Sequence, residues 1–381
     1  MAAYVRALGS MLAEARGSGL LDACATAYIG GGTPSMLGAR ELGNLLCEVA
    51  RLAPLRELSF EANPESLDDE LLAIAADDGA TRVSIGVQSF DDHELDALGR
   101  IHSAELARRR VEAAVASGMR VSVDLMCGIP YQTPESWTRS LDAALELGVG
   151  HVSCYPLMIE EGTELERLCD EGRLPWPDDD AEADFMEAAE RLLSSAGFAR
   201  YEVASYARVG EQCAHNLAYW TGVPYLGLGV AASSMLSAEG YDLLRAIAGN
   251  LPPVPGDIAR VRVTCTSDAP SIARVQSLSR LSWDVEGLTQ PQALAEDLML
   301  AARMARGIPR SLVARSREAL GPERVDDVLS GLVARGLLAR SSDGSLTPTH
   351  RGWLLGNELY GELWGLAPSM GTMTMSVAAP D

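Results

Sequence analysis

Positive charge is what this 381-residue sequence has least of: 31 Lys and Arg stand against 53 Asp and Glu, a formal net charge of −22. A deficit of that size argues against nucleic acid or any other polyanion as partner, because phosphates are held by clustered cations. Aromatic residues are scarce too, at 5%, while the 47% hydrophobic and 22% charged fractions are ordinary for a globular chain. Cysteine is sparse and scattered, with seven at positions 24, 47, 127, 154, 169, 213 and 265. No pair forms CxxC and no triplet forms a cluster-binding run, so reduced thiols in a cytoplasmic protein are expected. A membrane span is missing as well. Residues 214–238 carry no Asp, Glu, Lys or Arg, but their Gly, Pro, Asn and Ser mark a buried or site-lining segment. The opening MAAYVRALGSMLAEARG reads as an amphipathic helix and lacks the apolar core of a signal peptide.

What is present is repetition. Short β-rich runs occur at 27–31 (AYIGG), 58–62 (LSFEA), 82–88 (RVSIGVQ), 120–128 (RVSVDLMCG), 151–157 (HVSCYPL) and 200–206 (RYEVASY). Between them lie segments with apolar residues at three- and four-residue spacing, such as SAELARRRVEAAVASG. Alternating strand and helix demands parallel pairing and right-handed crossovers, hence an α/β sheet or barrel. Residues 1–235 are expected to form this part. Residues 236–290, rich in Pro, Ser and Gly, read as a connecting region. Residues 291–365 follow a helix, helix, hairpin, helix order with a turn at Asp343-Gly344, the pattern of a winged-helix-like α+β domain. The five arginines between Arg303 and Arg317 read as a solvated face, since acids are interspersed. Residues 366–381 read as a disordered tail.

Polar residues sit where a parallel barrel would collect chemistry, at the strand ends. The first strand runs into Gly30-Gly31-Gly32-Thr33, where missing Cβ atoms let the backbone turn and approach a ligand. A tight strand-to-helix turn would use the same glycines. The next two strands end in Glu61 and Gln88, and the fourth runs through Asp124 to CGIP. Burying each costs free energy without a partner, and their convergence beside the glycines favours a ligand site.

These residues carry a resemblance. The series YIGGGTPS, FEANPESL, RVSIGVQSF, LGRIHS, VDLMCGIPYQTPESW, RYEVASYA and HNLAYWTGVPYLGLG is similar to the radical S-adenosylmethionine family of oxygen-independent coproporphyrinogen III oxidase-like proteins. It covers residues 2–235 and resumes over 291–362. The HNLAYW stretch, His215 to Trp220, matches the HNxxYW motif of the heme-chaperone branch. The resemblance implies an incomplete (β/α)6 barrel, its first strand missing, with the winged-helix-like domain following. It implies that the backbone of Gly31, Gly32 and Thr33 receives the methionyl amino group of S-adenosylmethionine. Glu61, Gln88 and Asp124 would hold the ribose and neighbouring polar groups, and Arg100 would grip the methionyl carboxylate. Taken alone, Arg100 could equally pair with Asp91, Asp92 or Glu94. His215 becomes the heme-iron candidate, with Tyr219 and Trp220 as flat apolar faces. A loop-capping histidine is the plainer alternative.

The family also holds a [4Fe–4S] cluster on CxxxCxxC, and this chain does not contain that motif. The sequence opens on what resembles the helix after the cluster loop, so the motif is expected upstream of Met1; retention of Gly31, Glu61, Gln88, Arg100 and Asp124 favours this over a real loss. Cys127, Cys154 and Cys213 are too far apart to replace the ligands. Function is therefore expected to be heme binding and transfer to an acceptor protein that the sequence does not identify. Oxidative decarboxylation of coproporphyrinogen III and a cluster-free binding protein are the alternatives.

Overall fold

The computed structural model describes residues 1–52, 54–368 and 373–379. The chain divides into two compact units, one of residues 26–50 and 56–213, the other of residues 1–25, 51–55 and 214–381. The opening helix α1 (Ala2–Gly17) belongs to the second.

The first unit follows in chain order: β1 (Thr26–Ile29), α2 (Ala39–Ala50), β2 (Glu57–Ala62), α3 (Asp69–Asp77), β3 (Arg82–Gln88), α4 (Asp92–Ala97), α5 (Ala104–Ala116), β4 (Arg120–Cys127), α6 (Pro134–Glu146), β5 (His151–Pro156), α7 (Glu164–Asp170) and α8 (Asp179–Ser195). Asp68, Asp91, Ser103, Thr133, Thr163 and Asp178 each accept a backbone N–H at a helix start. Those bonds satisfy amides that a helix leaves open. Strands β1 to β5 pair in parallel in sequence order. β3 is buried along its whole length, as a strand covered on both faces must be. β1, at the sheet edge, is only half-buried.

The run at 200–206 departs from expectation. It forms two short strands, β6 (Ala199–Arg200) and β7 (Ser205–Ala207), which extend the sheet antiparallel in the order β5-β7-β6. Glu202 explains the break. Its buried carboxylate is held by the Ser205 hydroxyl and by the amides of Val203, Ala204 and Ser205, which folds the chain back on itself.

Where the strands begin, a buried ion pair fixes their register. Arg82 Nε lies 3.1 Å from Glu57 Oε2, and both side chains are buried. Arg82 also donates to Ser122 Oγ at 3.1 Å and to the Glu211 carbonyl at 2.8 Å. One guanidinium thus ties β2, β3 and β4 to the end of the unit. Burial and this cation push neighbouring His151 down to about 3, so its ring is neutral.

The second unit continues with α9 (Ala214–Trp220), β8 (Ser233–Ser237), α10 (Ala238–Ala248), β9 (Ile258–Cys265), α11 (Ala269–Val275), β10 (Trp283–Thr289), α12 (Gln290–Ala302), α13 (Arg310–Leu320), α14 (Pro322–Ala334), β11 (Leu338–Arg340), β12 (Leu346–Pro348), α15 (His350–Leu354), α16 (Gly356–Trp364) and β13 (Met373–Val377). β8, β9, β10 and β13 form an antiparallel sheet in the order β13-β10-β9-β8. The stretch 236–290 is therefore folded and not a mere connection. In β9, Val261, Val263 and Cys265 are buried while Arg260, Arg262 and Thr264 are half-exposed, an alternation hidden in the sequence by flanking Pro and Ser. The same sheet corrects the tail. Met373–Val377 pairs with β10, while 369–372 and 380–381 lie outside the described residues.

The expected boundary at 235 falls instead at 213, and α1 shares its core with the later chain. Ala7, Met11 and Ala15 pack into the cluster of Tyr241, Leu278 and Trp283, and Glu14 Oε2 accepts from Leu278 N at 2.8 Å. From α13 to α16 the order is helix, helix, two-stranded hairpin, helices, with Gly344 at φ +85° in the turn.

Candidate functional site

The three glycines after β1 differ in what they require. A Cβ on Gly30 would stand 2.6 Å from the Tyr28 ring and 2.8 Å from Glu61 Oε1. Gly31 has φ +83°, a region that L side chains rarely adopt, and a Cβ there would meet nothing within 4 Å. Crowding fixes the first glycine and backbone geometry the second. The space above Gly31 and Gly32 is open.

Glu61 organises this turn. It accepts from Tyr28 Oη at 2.9 Å and from Gly31 N at 3.2 Å. Burial nonetheless raises its carboxyl above the ordinary value, against the lowering effect of those bonds. Burial, then the charge of Glu61, pushes the Tyr28 phenol up, so it stays a donor. Asn63, just past β2, donates to Thr33 Oγ1 at 3.3 Å and thereby joins the glycine turn to the second strand end.

At the ends of β3 and β4 the sheet register is interrupted between Ile85 and Gln88. Gln88 adopts φ +67°, a strained conformation for a residue with a Cβ. A Cβ at Gly86 would come within 2.9 Å of both Asn63 Oδ1 and Gln88 Nε2, so Gly86 makes room for two amides. Gln88 Oε1 is buried and has no hydrogen-bond partner among the described residues. An orphaned buried acceptor is costly, and strain together with an open lone pair is the mark of a position shaped for something else. Asp124 accepts from Ser84 Oγ at 3.1 Å and is held by Ser153 from the other side. Burial, with a smaller contribution from Glu61, pushes it up to about 6.

Arg100 takes none of the three expected acids. Asp91 pairs with Arg139 at 3.2 Å, Asp92 caps Ala104 N at 2.7 Å, and buried Glu94 accepts from Ser89, Ser136 and Gln132. Among the described residues no ion pair forms on the half-buried Arg100, and no hydrogen bond joins it to Glu61, Gln88 or Asp124. Its loop is pinned by His102, which the sequence reading passed over. His102 Nδ1 lies 3.1 Å from Glu65 Oε2 and Nε2 lies 3.2 Å from the Val87 carbonyl, beside Gln88. Tyr28, Asn63, Ser84 and His102 are further members to which the sequence assigned no role, although each lies in one of the strings YIGGGTPS, FEANPESL, RVSIGVQSF and LGRIHS.

His215, Tyr219 and Trp220 stand on α9. Residues four apart share a helix face, which sets His215 beside Tyr219. His215 is half-buried and Tyr219 is 44% exposed. The Tyr219 ring lies 5.2 Å from Trp220, edge-on at 85°, and 5.3 Å from Tyr225. The result is a compact aromatic patch with an imidazole on one face.

The cysteines do not make a cluster site. No group of three His, Cys, Asp or Glu among the described residues could hold a metal. Burial, then Glu182, pushes the Cys127 thiol up to about 12, and burial pushes Cys154 well up. Cys213 donates to Glu57 Oε1 at 3.3 Å, where the strands begin. Cluster ligation needs thiolates, so these residues do not fit a [4Fe–4S] group. No helix among the described residues is long and apolar enough to cross a membrane.

Comparison with known proteins adds to this geometry. Residues 5–144 match the Radical SAM superfamily. Over 347 residues the chain is 37% identical to the heme chaperone HemW of Mycobacterium tuberculosis (strain ATCC 25618 / H37Rv), covering 89% of this chain and 80% of that one. Heme chaperone HemW of Bacillus subtilis (strain 168) is 32% identical over 349 residues, covering 89% and 85%. Among solved structures, coproporphyrinogen III oxidase (HemN) from Escherichia coli, a radical SAM enzyme, superposes with a TM-score of 0.72 over 96% of this chain and 82% of that one. At 19% identity that likeness is one of fold.

Proposed function

The chain belongs to the radical SAM superfamily and, within it, to the family of the heme chaperone HemW, and we propose that it binds heme and passes it to an acceptor protein. The observation that carries this reading is α9, which groups His215 with the rings of Tyr219 and Trp220, against which Tyr225 from the following loop packs through Tyr219. Imidazole is a common axial ligand of heme iron, and aromatic faces favour a flat apolar macrocycle. Purified protein titrated with hemin should show a shifted Soret band that is lost in His215→Ala. An identical spectrum in the variant would remove His215 from the site. Oxidation of coproporphyrinogen has less support, since the likeness to HemN is at the level of fold.

The strand ends of the first unit fit S-adenosylmethionine. Gln88 Oε1 is a buried acceptor in want of a donor, and the face above Gly31 and Gly32 is open. In this proposal the turn Gly31–Thr33 receives the amino group, and Glu61, Gln88 and Asp124 accept from ribose hydroxyls and neighbouring donors. Arg100, without an acid of its own, takes the carboxylate with its planar fork. When bound, the molecule supplies a sulfonium whose carbon–sulfur bond one electron can split. No step of the proposal runs through a cluster, for which the residues present offer no site. Calorimetric titration with S-adenosylmethionine should show binding that weakens about tenfold in Gln88→Ala, the loss of one good hydrogen bond. Equal affinity in the variant would return Gln88 to a structural role.

A further inference from the structure

The chain has no lysine; all 31 of its basic residues are arginine, against 53 acids. Many of those arginines pair with an acid, and among the described residues Arg303 does not. It follows the last turn of α12 in the second unit. Its guanidinium carbon lies 5.3 Å from the Trp220 ring centroid and 4.5 Å from that of Tyr360. Its Nε approaches Met299 Sδ at 3.4 Å, and no ion pair forms on it among the described residues. The two acids of α12, Glu296 and Asp297, are already taken. Arg260 binds Asp297 at 2.6 Å, and Arg262 binds Glu296 at 2.6 Å and also Glu286.

A guanidinium stacked on aromatic faces is pre-positioned, and its in-plane N–H groups remain directed outward for a planar anion. The ring it stacks on, Trp220, is the one that leads through Tyr219 to the face of His215. We infer that Arg303 is the anchor for a carboxylate carried by the flat ligand that lies on the rings of α9, a porphyrin propionate. This deepens the heme reading and rests on it. The same placement without a ligand role would make Arg303 only a stacking link between α9, α12 and α16, and that alternative predicts no dependence on ligand carboxylates.

The test uses the full chain and two iron-free probes, protoporphyrin IX and its dimethyl ester, followed by fluorescence titration. The native protein should prefer the free acid, and Arg303→Gln should weaken binding of the free acid about tenfold while leaving the ester unchanged. Arg303→Lys, which keeps the charge and loses the fork, should fall between. Equal affinity of the native protein for acid and ester overturns the inference, and this arm needs no variant to fold. Equal losses for acid and ester in Arg303→Gln also overturn it, because they report packing. The probes contain no iron, so an unchanged hemin spectrum in His215→Ala would sink the axial-ligand reading separately.

Discussion

The strand-end site of residues 26–213 and the aromatic patch on α9 are built in opposite ways. Tyr28 meets Glu61 across 33 positions and Ser84 meets Asp124 across 40, so the first site exists only when the sheet does. His215, Tyr219 and Trp220 come from one short helix, and six residues of sequence bring them together. The strand-end site also holds carboxyls that burial raises and a buried oxygen left without a partner. The patch is less enclosed: His215 and Trp220 are half-buried and Tyr219 is exposed. The first site is assembled wholly by long-range pairing, whereas three members of the second are set side by side by local helix geometry and only Tyr225 and Arg303 are brought to them by the fold.

The largest way to break that comparison is to remove the frame of the first unit. Arg82→Met leaves Glu57 buried without its cation and should destabilise the protein by roughly 3–5 kcal/mol. Urea unfolding followed by far-UV dichroism would measure it, and a change near zero would show that the pair is replaceable by packing.

A smaller effect with opposite sign should come from Asp124→Asn. The folded carboxyl titrates near 6 and the ordinary value is 3.8, so between about pH 4 and 6 the native state holds more protons than the unfolded state. Stability then falls as pH rises through that window. Above it the ionised group, its serine bonds included, costs roughly 1–3 kcal/mol. The asparagine variant should be more stable at pH 7, equal to the parent below pH 4, and weaker in binding S-adenosylmethionine. A stability difference independent of pH would show that Asp124 is not strained by its charge.

The smallest effect is set by backbone geometry alone. Gly31→Ala meets no atom within 4 Å but must adopt φ +83°, which should cost about 1 kcal/mol. Thermal melting measures that cost, and a bulky residue at the same position should remove S-adenosylmethionine binding altogether. Retained binding there would reduce the glycines to a turn.

Most of the barrel was legible because its signals are local. The runs around Phe60, Val83, Val123 and Val152 end in turn residues, and the polar residues at their ends stand out against apolar neighbours. The stretch 236–290 was misread because β9 recovers its meaning only from partners: Val263 faces Val285 on one side and Ser234 on the other. The strand at Met373–Val377 pairs with residues about ninety positions earlier, a distance over which no periodicity carries. Glu202 broke the sixth run through bonds to its own following amides, a turn that the β-rich composition of RYEVASY concealed.

The sequence by itself determined the order of strands and helices from β1 to β5, the glycine turn, the acidic balance and the polar residues carried by those strands. These follow from chain geometry within a few residues, where side-chain period and backbone preference act directly. Only the tertiary structure decided which of those residues are partnered. Glu61 took the hydroxyl of Tyr28, the acids around Arg100 went to other groups, and Gln88 Oε1 was left without a donor. Partnering depends on which atoms share a buried space once the chain has folded, and burial is a property of the whole fold.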